Sequence, residues 1–205
     1  MKNLITSLIF IFTLSYSARS QEHKPQLLFE PAAWEFERFE LPPSFAPGIP
    51  YKGAEELRFA PGMFKKDTIT YFTYVFVAEL AGVMTISQND IRDYLLKYYI
   101  GLCSATARDR KLTIDTTKIT ATVERKKGTT VQESIYDASL DIFGVFADGA
   151  PVKLNMEIKI LKPGATKKTY LFFIASASEK TDPIWKTLYE IREKFAIPKM
   201  EHGLH

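Results

Sequence analysis

The sequence predicts an α+β domain in which an antiparallel sheet of about five strands packs on one long helix. Two patterns support this prediction. The second half of the chain contains segments in which apolar and polar residues alternate, separated by turn residues, as expected for antiparallel strands with one buried face. A helical pattern of apolar residues precedes these segments and a second one follows them. The predicted order is therefore strand, helix, four strands and helix, preceded by an N-terminal arm.

The first twenty residues have the pattern of an export signal. Lys2 precedes an apolar run at residues 4–14, and Ala18 and Ser20 are small residues at the positions that signal peptidase recognises. We expect cleavage before Gln21 and a secreted or periplasmic protein. The alternative is an uncleaved anchor, although the run is short for a membrane-spanning helix. No transmembrane segment is expected in the mature chain.

Residues 21–63 form an arm that is rich in proline and aromatic residues. The prolines argue against long helices and central strands, whereas the aromatic side chains require burial. We therefore expect the arm to pack on a single α+β domain at residues 64–198, with a short strand at 55–59. Alternatively, residues 34–64 swap onto a second copy of the chain, which would make the protein a structural or oligomerising subunit.

The body of the domain begins with a strand at residues 69–80 that is apolar on both faces, so both faces must be covered. The arm is the nearest candidate for the second face. A long helix follows, with Ser87 and Asp90 in a capping box, and extends to about Ala105. The four later strands are expected at residues 112–124, 131–146, 152–162 and 169–178. Their polar faces, with Asp137, Asp141 and Glu157, are expected in water.

The closing helix begins at Asp182 and Pro183, which suit a helix N-terminus, and ends before Pro198. Residues 199–205 are expected to form a disordered tail.

Charge and cysteine content exclude several classes of protein. The formal charge of +3 falls to +1 once residues 1–20, with Lys2 and Arg19, are removed. Such a chain lacks the clustered positive charge of nucleic-acid-binding proteins, so no nucleic-acid partner is expected. Cys103 is the only cysteine. It cannot form an intrachain disulfide, and its place on the apolar side of the long helix indicates a small buried side chain.

The positions of the histidines argue against a catalytic protein. His23, His202 and His205 all lie near the ends of the mature chain. Ser-His and Cys-His pairs need an imidazole that is held in place, and so do histidine-based zinc sites. We therefore expect no metal and no cofactor, and we favour a non-catalytic protein over an enzyme.

The order of elements resembles the hotdog architecture, in which a sheet wraps around one long helix, and a cystatin-like fold has a similar order. The resemblance is topological and implies no residue role. In hotdog-like hydrolases of the thioesterase type, an acidic group on the central helix acts as base or nucleophile. By analogy Asp90 is a catalytic candidate, although its role as a capping residue explains it completely and is the interpretation we favour.

The candidate ligand-binding residues lie on the first strand, the long helix and the arm. A cavity beside Tyr74, Phe76 and Tyr98 would suit a small apolar ligand, and a plain aromatic core is the alternative. Glu56 and Arg58 share one face of the short strand, where they either orient a ligand or hold the arm on the body. We expect an exported protein that binds a small apolar ligand or a protein partner, with a homo-oligomer as a further possibility.

We predict that the full chain, expressed in a bacterium with its own N-terminus, is processed before Gln21. Signal peptidase requires a small residue before the cleavage site, so Ser20→Arg should abolish processing and Ser20→Ala should preserve it. Intact-mass spectrometry of the exported fraction measures both. A wild-type chain that stays unprocessed in the membrane fraction would instead indicate an anchor.

Overall fold

The computed structural model describes residues 26–126, 133–163 and 166–197. The predicted signal peptide, the predicted tail and the three histidines lie outside these residues, so the predictions made for them stay predictions. Within the described segments, no helix has both the length and the apolar character needed to cross a membrane.

One antiparallel sheet of seven strands forms the centre of the structure. The strands are β1 (Glu35–Leu41), β2 (Gly53–Phe59), β3 (Tyr74–Ala81), β4 (Thr120–Arg125), β5 (Glu133–Phe143), β6 (Pro151–Leu161) and β7 (Lys168–Ser176). The helices are α1 (Gln88–Arg110) and α2 (Pro183–Lys194), with a short 3-10 helix at Thr116–Lys118. The spatial order of the strands is β1-β2-β3-β7-β6-β5-β4. The predicted α+β class, with one long helix on an antiparallel sheet, is confirmed.

The expected number of about five strands is wrong, because the arm contributes two strands to the sheet. β1 pairs with β2 from Glu35↔Phe59 to Leu41↔Gly53, and β2 pairs with β3 along its whole length. The prolines of the arm all lie outside these two strands, and four of them occupy the connection at residues 42–52. They limit the length of the strands without preventing them, so the arm contains a central strand that its proline content argued against.

Three elements differ in extent from the prediction. β3 begins at Tyr74 instead of residue 69, because residues 61–73 form successive turns. α1 continues to Arg110, beyond the expected end, and stops where Lys111 adopts a left-handed conformation with φ 58° and donates its N–H to the last helical carbonyls. The strand expected from residue 112 begins at Thr120, after the 3-10 helix.

α1 covers one face of the sheet and begins as the sequence predicts. The hydroxyl of Ser87 accepts from the Asp90 amide at 3.2 Å, and the Asp90 carboxylate accepts from the Ser87 amide at 2.8 Å. These reciprocal bonds form the capping box. The buried side of α1, including Tyr94, Tyr98 and Cys103, packs in the main core against the middle strands.

α2 is the main cover of the opposite face. Val75 and Val77 of β3 contact a second core that contains Trp185 and Leu188 of α2. The expectation that β3 is covered on both faces is confirmed, but the aromatic arm contributes little of the second cover. Leu27, Leu28 and Trp34 join the second core, whereas the other apolar residues of the arm that pack in a core do so on the α1 side.

Glu157 of β6 is buried, which corrects the expectation that it faces water. Its side chain is 1% exposed, and its carboxylate accepts from Nζ of Lys126 at 2.8 Å and from the guanidinium of Arg192. Nζ of Lys180 lies 3.9 Å away. Alternation along β6 identifies one polar face, but it does not show that α2 and its cations cover part of that face.

We predict that Arg192→Ala lowers the free energy of unfolding by about 2–3 kcal/mol, because it removes a partner from a buried carboxylate. Lys186→Ala removes the same charge from an exposed position of the same helix. That control should change stability by no more than about 0.5 kcal/mol. Urea unfolding followed by circular dichroism measures both. Equal effects would mean that Arg192 contributes nothing specific at Glu157.

Candidate functional site

A cleft of about 980 Å³ opens between β1, the second half of α1 and the turns that precede β3. Its volume is at the upper end of the range for small-molecule sites, about 300–1,000 Å³. We call it the aromatic cleft, because seven of its lining residues carry rings: Phe39, Phe45, Phe59, Phe72, Tyr74, Tyr98 and Phe146. A second depression of about 550 Å³ follows the surface of α2, but its lining is mostly charged.

The regular geometry of the strands and of α1 positions the walls. On β1 and β2, Glu37 pairs with Leu57 and Glu35 pairs with Phe59, so these side chains share the face that α1 covers. On α1, Tyr98, Leu102 and Ala105 line the cleft and recur every three or four residues along one side of the helix. The turns before β3 supply the remaining wall.

The rings of the walls contact one another. Phe45 packs edge-on against Tyr98 with 5.0 Å between ring centroids, and Phe59 lies 6.1 Å from Tyr74. Beside the cleft, the half-exposed ring of Phe64 contacts the rings of Phe59 and Phe146, with 5.8 and 5.4 Å between centroids. Each such pair contributes about 0.5–1.5 kcal/mol beyond area burial, so the walls are held in place before any ligand arrives.

Phe72 is the strained residue of the cleft. Its backbone is in the left-handed region with φ 50°, which is an outlier for a bulky side chain. The conformation places its ring 5.6 Å from that of Phe146 and edge-on to Tyr71 at 5.4 Å. Strain of this kind costs about 1–3 kcal/mol and concentrates at functional sites.

The structure separates the five predicted ligand-binding residues. Tyr74 and Tyr98 line the cleft. Phe76 lies behind the wall, fully buried, with its ring stacked on Phe173 at 4.0 Å. Glu56 and Arg58 point to the opposite face of the sheet, so the structure does not bring them to the cleft.

Glu56 and Arg58 instead hold the N-terminal segment of the described chain. The Glu56 carboxylate accepts from the amides of Leu27 and Leu28 at 2.7 and 2.8 Å, and also from the guanidinium of Arg38. Nε of Arg58 donates to the carbonyl of Leu28 at 3.1 Å. All of these partners belong to the arm, so the two side chains hold its first residues on β2 and do not hold the arm on the body.

Asp90 lies in the first turn of α1, whereas the residues of α1 that line the cleft belong to its second half. Its carboxylate accepts from the hydroxyl of Ser87 at 2.6 Å as well as from the Ser87 amide. These hydrogen bonds lower the pKa of Asp90, which makes the carboxylate a weaker base. Its contacts are therefore those of a capping residue.

Glu55 is a buried carboxyl group that the sequence analysis did not single out. It is 0% exposed and accepts from the hydroxyls of Tyr98 and Tyr94 at 2.8 and 2.9 Å. Burial raises the pKa of Glu55 to about 8; the two tyrosine hydrogen bonds oppose this shift, and the charge of Glu37 adds to it. Tyr98 thus lines the cleft with its ring and contacts Glu55 with its hydroxyl.

Other buried polar groups near the cleft are paired, except the hydroxyl of Tyr71, which has no hydrogen-bond partner in the described part of the chain. The hydroxyls of Tyr74 and Tyr99 form a hydrogen bond with each other. Sγ of Cys103 lies 3.8 Å from the carbonyl oxygen of Phe143, and burial raises the pKa of the thiol to about 11. A thiol with such a pKa is a poor nucleophile. Within the described residues, no group of three or more histidine, cysteine or acidic side chains is placed to hold a metal ion.

We predict that Glu55 makes the protein less stable as the pH rises from about 5 to about 8. The pKa of this group is raised on folding, from 4.5 to about 8. Between these values the folded state holds a proton that the unfolded state has lost, so stability falls by up to about 1.4 kcal/mol per pH unit. Glu55→Gln should remove this slope, as measured by urea unfolding across the range.

Glu124→Gln is the matched control, because Glu124 is exposed on β4 at the other edge of the sheet. It should keep the pH slope of the wild type. If Glu55→Gln and the wild type differ by the same amount at pH 5 and pH 8.5, Glu55 does not titrate in this range.

The aromatic cleft and the Glu55 cluster are the two features of the described chain that invite a functional interpretation, and they share Tyr98. No protein-family model, curated protein or solved structure matches this chain.

Proposed function

We propose that the chain is an exported, non-catalytic protein that binds a small apolar ligand in the aromatic cleft. The observation that carries this proposal is an open volume of about 980 Å³ walled by seven aromatic rings. A core that only needed to be filled would close over such a volume, since protein interiors pack as densely as organic crystals. Export rests separately on the pattern of residues 1–20.

The walls favour an apolar ligand because their tyrosine hydroxyls are already engaged. Tyr98 donates to Glu55, and Tyr74 bonds to Tyr99. The cleft therefore offers a ligand ring faces, ring edges and the aliphatic groups of Leu57, Met63 and Leu102. Burying apolar ligand surface there contributes about 25 cal/mol per Å².

Preorganisation also supports binding. The rings are fixed by their mutual contacts, so ordering of the walls costs a ligand little. The strained backbone of Phe72, with φ 50°, belongs to the same wall. A conformation that costs energy in the absence of ligand, in the wall of a large aromatic opening, is consistent with a site kept for binding.

A hydrolase is less well supported than a binding protein. A carboxylate base has to reach the ligand, and Asp90 is engaged with Ser87 in the first turn of α1. Glu55 lies behind Tyr98, fully buried. Neither of these two carboxylates lines the cleft, so the carboxylate that the hotdog analogy suggested does not reach it.

We also propose a hotdog-like arrangement for the segment from β3 to β7. There a strand, a long helix and a four-stranded meander follow one another in the order of that architecture. β1, β2 and α2 are additions to this unit, and β1 supplies one wall of the cleft.

We predict that the wild type binds the neutral fluorescent probe N-phenyl-1-naphthylamine and that Ala105→Trp weakens binding by about tenfold or more. Ala105 is half-buried on the α1 wall, so an indole there occupies the volume that the probe needs. Thr106→Phe, at the next lining position, should act in the same direction.

Lys97→Trp is the control, because Lys97 is exposed on α1 and does not line the cleft. It should bind the probe as the wild type does, with circular dichroism confirming that all variants are folded. A wild type that binds neither this probe nor decyltrimethylammonium, or blocking variants that bind the probe unchanged, would falsify the proposal.

A further inference from the structure

We propose that the ligand of the aromatic cleft is an apolar cation, an amine or quaternary ammonium group attached to a hydrophobic body, with Glu37 as its charged partner. This inference rests on the binding function proposed above and specifies the class of ligand. The inference depends on the positions of the charged side chains around the cleft and on the aromatic rings beside them.

Glu37 is a carboxylate of the β1 wall on the side of the sheet that α1 covers; Arg38 and Glu40 also line the cleft, but their register positions face the other side. Glu37 lines the cleft and pairs in register with Leu57, so both side chains lie on the face covered by α1. Arg38, the next residue, points the other way and pairs with Glu56. In the described part of the chain, no cation forms an ion pair with Glu37.

The second half of α1 does not compensate this charge. Arg108 and Asp109 both line the cleft, and their side chains approach one another, with 3.5 Å between Nε and Oδ1. The side chain of Arg108 is 78% exposed, so it extends into solvent. The charges of Arg108 and Asp109 offset one another. The negative charge of Glu37 is therefore not neutralised by α1.

The behaviour of Glu37 indicates that its negative charge lacks compensation. Desolvation, followed by the charge of Glu35, raises the pKa of Glu37. Glu37 in turn contributes to the raised pKa of Glu55, which lies on the same face of the neighbouring strand. A cation bound beside Glu37 would offset the repulsion between the carboxylates of Glu35 and Glu37.

The aromatic walls suit the same kind of ligand. The face of an aromatic ring carries partial negative charge and attracts a cation within about 6 Å of the ring centroid, and an ammonium group enclosed by rings is a common form of this contact. Glu37 and the neighbouring ring of Phe39 both line the cleft. An anionic amphiphile would instead place its head group near Glu37, at an electrostatic cost.

The test compares three molecules with the same ten-carbon chain: decyltrimethylammonium, 1-decanol and decanoate. Each is titrated against wild-type protein loaded with N-phenyl-1-naphthylamine, the two ionic molecules below their micellar concentrations and the alcohol below its solubility limit. We expect the cation to displace the probe at a concentration about tenfold lower than the alcohol, and decanoate to be the weakest. Glu37→Gln should remove the advantage of the cation and leave displacement by the alcohol unchanged.

Glu124→Gln, which removes the same charge at the far edge of the sheet, should keep the wild-type order. If the probe binds but the alcohol matches the cation, or decanoate is preferred, the charge assignment is wrong while the binding function stands. If the probe does not bind, calorimetric titration of the protein with decyltrimethylammonium alone decides whether the cation binds. Binding that Glu37→Gln weakens about tenfold supports the inference, and absence of binding overturns it.

Discussion

The rest of the N-terminal half depends on the burial of three ionisable side chains on one strand. Glu55, Glu56 and Arg58 of β2 are all buried, and a buried charge is tolerated only when it is paired or hydrogen-bonded. Glu55 meets this requirement with tyrosine hydroxyls of α1, and the other two with the backbone of residues 27–34. β2 therefore contacts α1 on one face of the sheet and residues 27–34 on the other face.

The shape of the aromatic cleft follows from these contacts. Tyr98 forms part of the α1 wall, and its hydrogen bond to Glu55 fixes the position of its ring. The β1 wall is fixed in the same way, because Arg38 of β1 pairs with Glu56 of β2 across the register. The two walls thus depend on adjacent carboxyl groups that point to opposite faces of the same strand. For this reason polar groups outside the open volume determine the geometry of a largely apolar site.

Much of the fold could be predicted from the sequence, because local signals determine it. The capping box at Ser87, the alternation in β5 and β6, and Pro183 at the start of α2 act over a few residues and appear in the structure as expected. Features set by distant elements could not be predicted. The number of prolines did not indicate that β1 and β2 fit between them. The alternating pattern around Glu157 did not indicate that α2 covers this side chain. Two adjacent glutamates must occupy opposite faces of a strand. Nothing in the local sequence, however, shows that Glu55 faces the tyrosines of α1 and that Glu56 faces residues 27 and 28.

The charge inferred for the ligand is linked to the proton on Glu55. Glu55 is surrounded by Tyr94 and Tyr98 of α1, Tyr74 of β3 and Glu37 of β1, and the last of these helps to keep it protonated. A cation beside Glu37 offsets the negative charge that raises the pKa of Glu55, and so favours the ionised form of Glu55. Linkage is reciprocal, so ionisation of Glu55 must favour the bound cation to the same extent. In the proposed complex, a carboxyl group behind the cleft wall therefore contributes to the affinity for the cation, through a proton whose pKa of about 8 lies close to neutral pH.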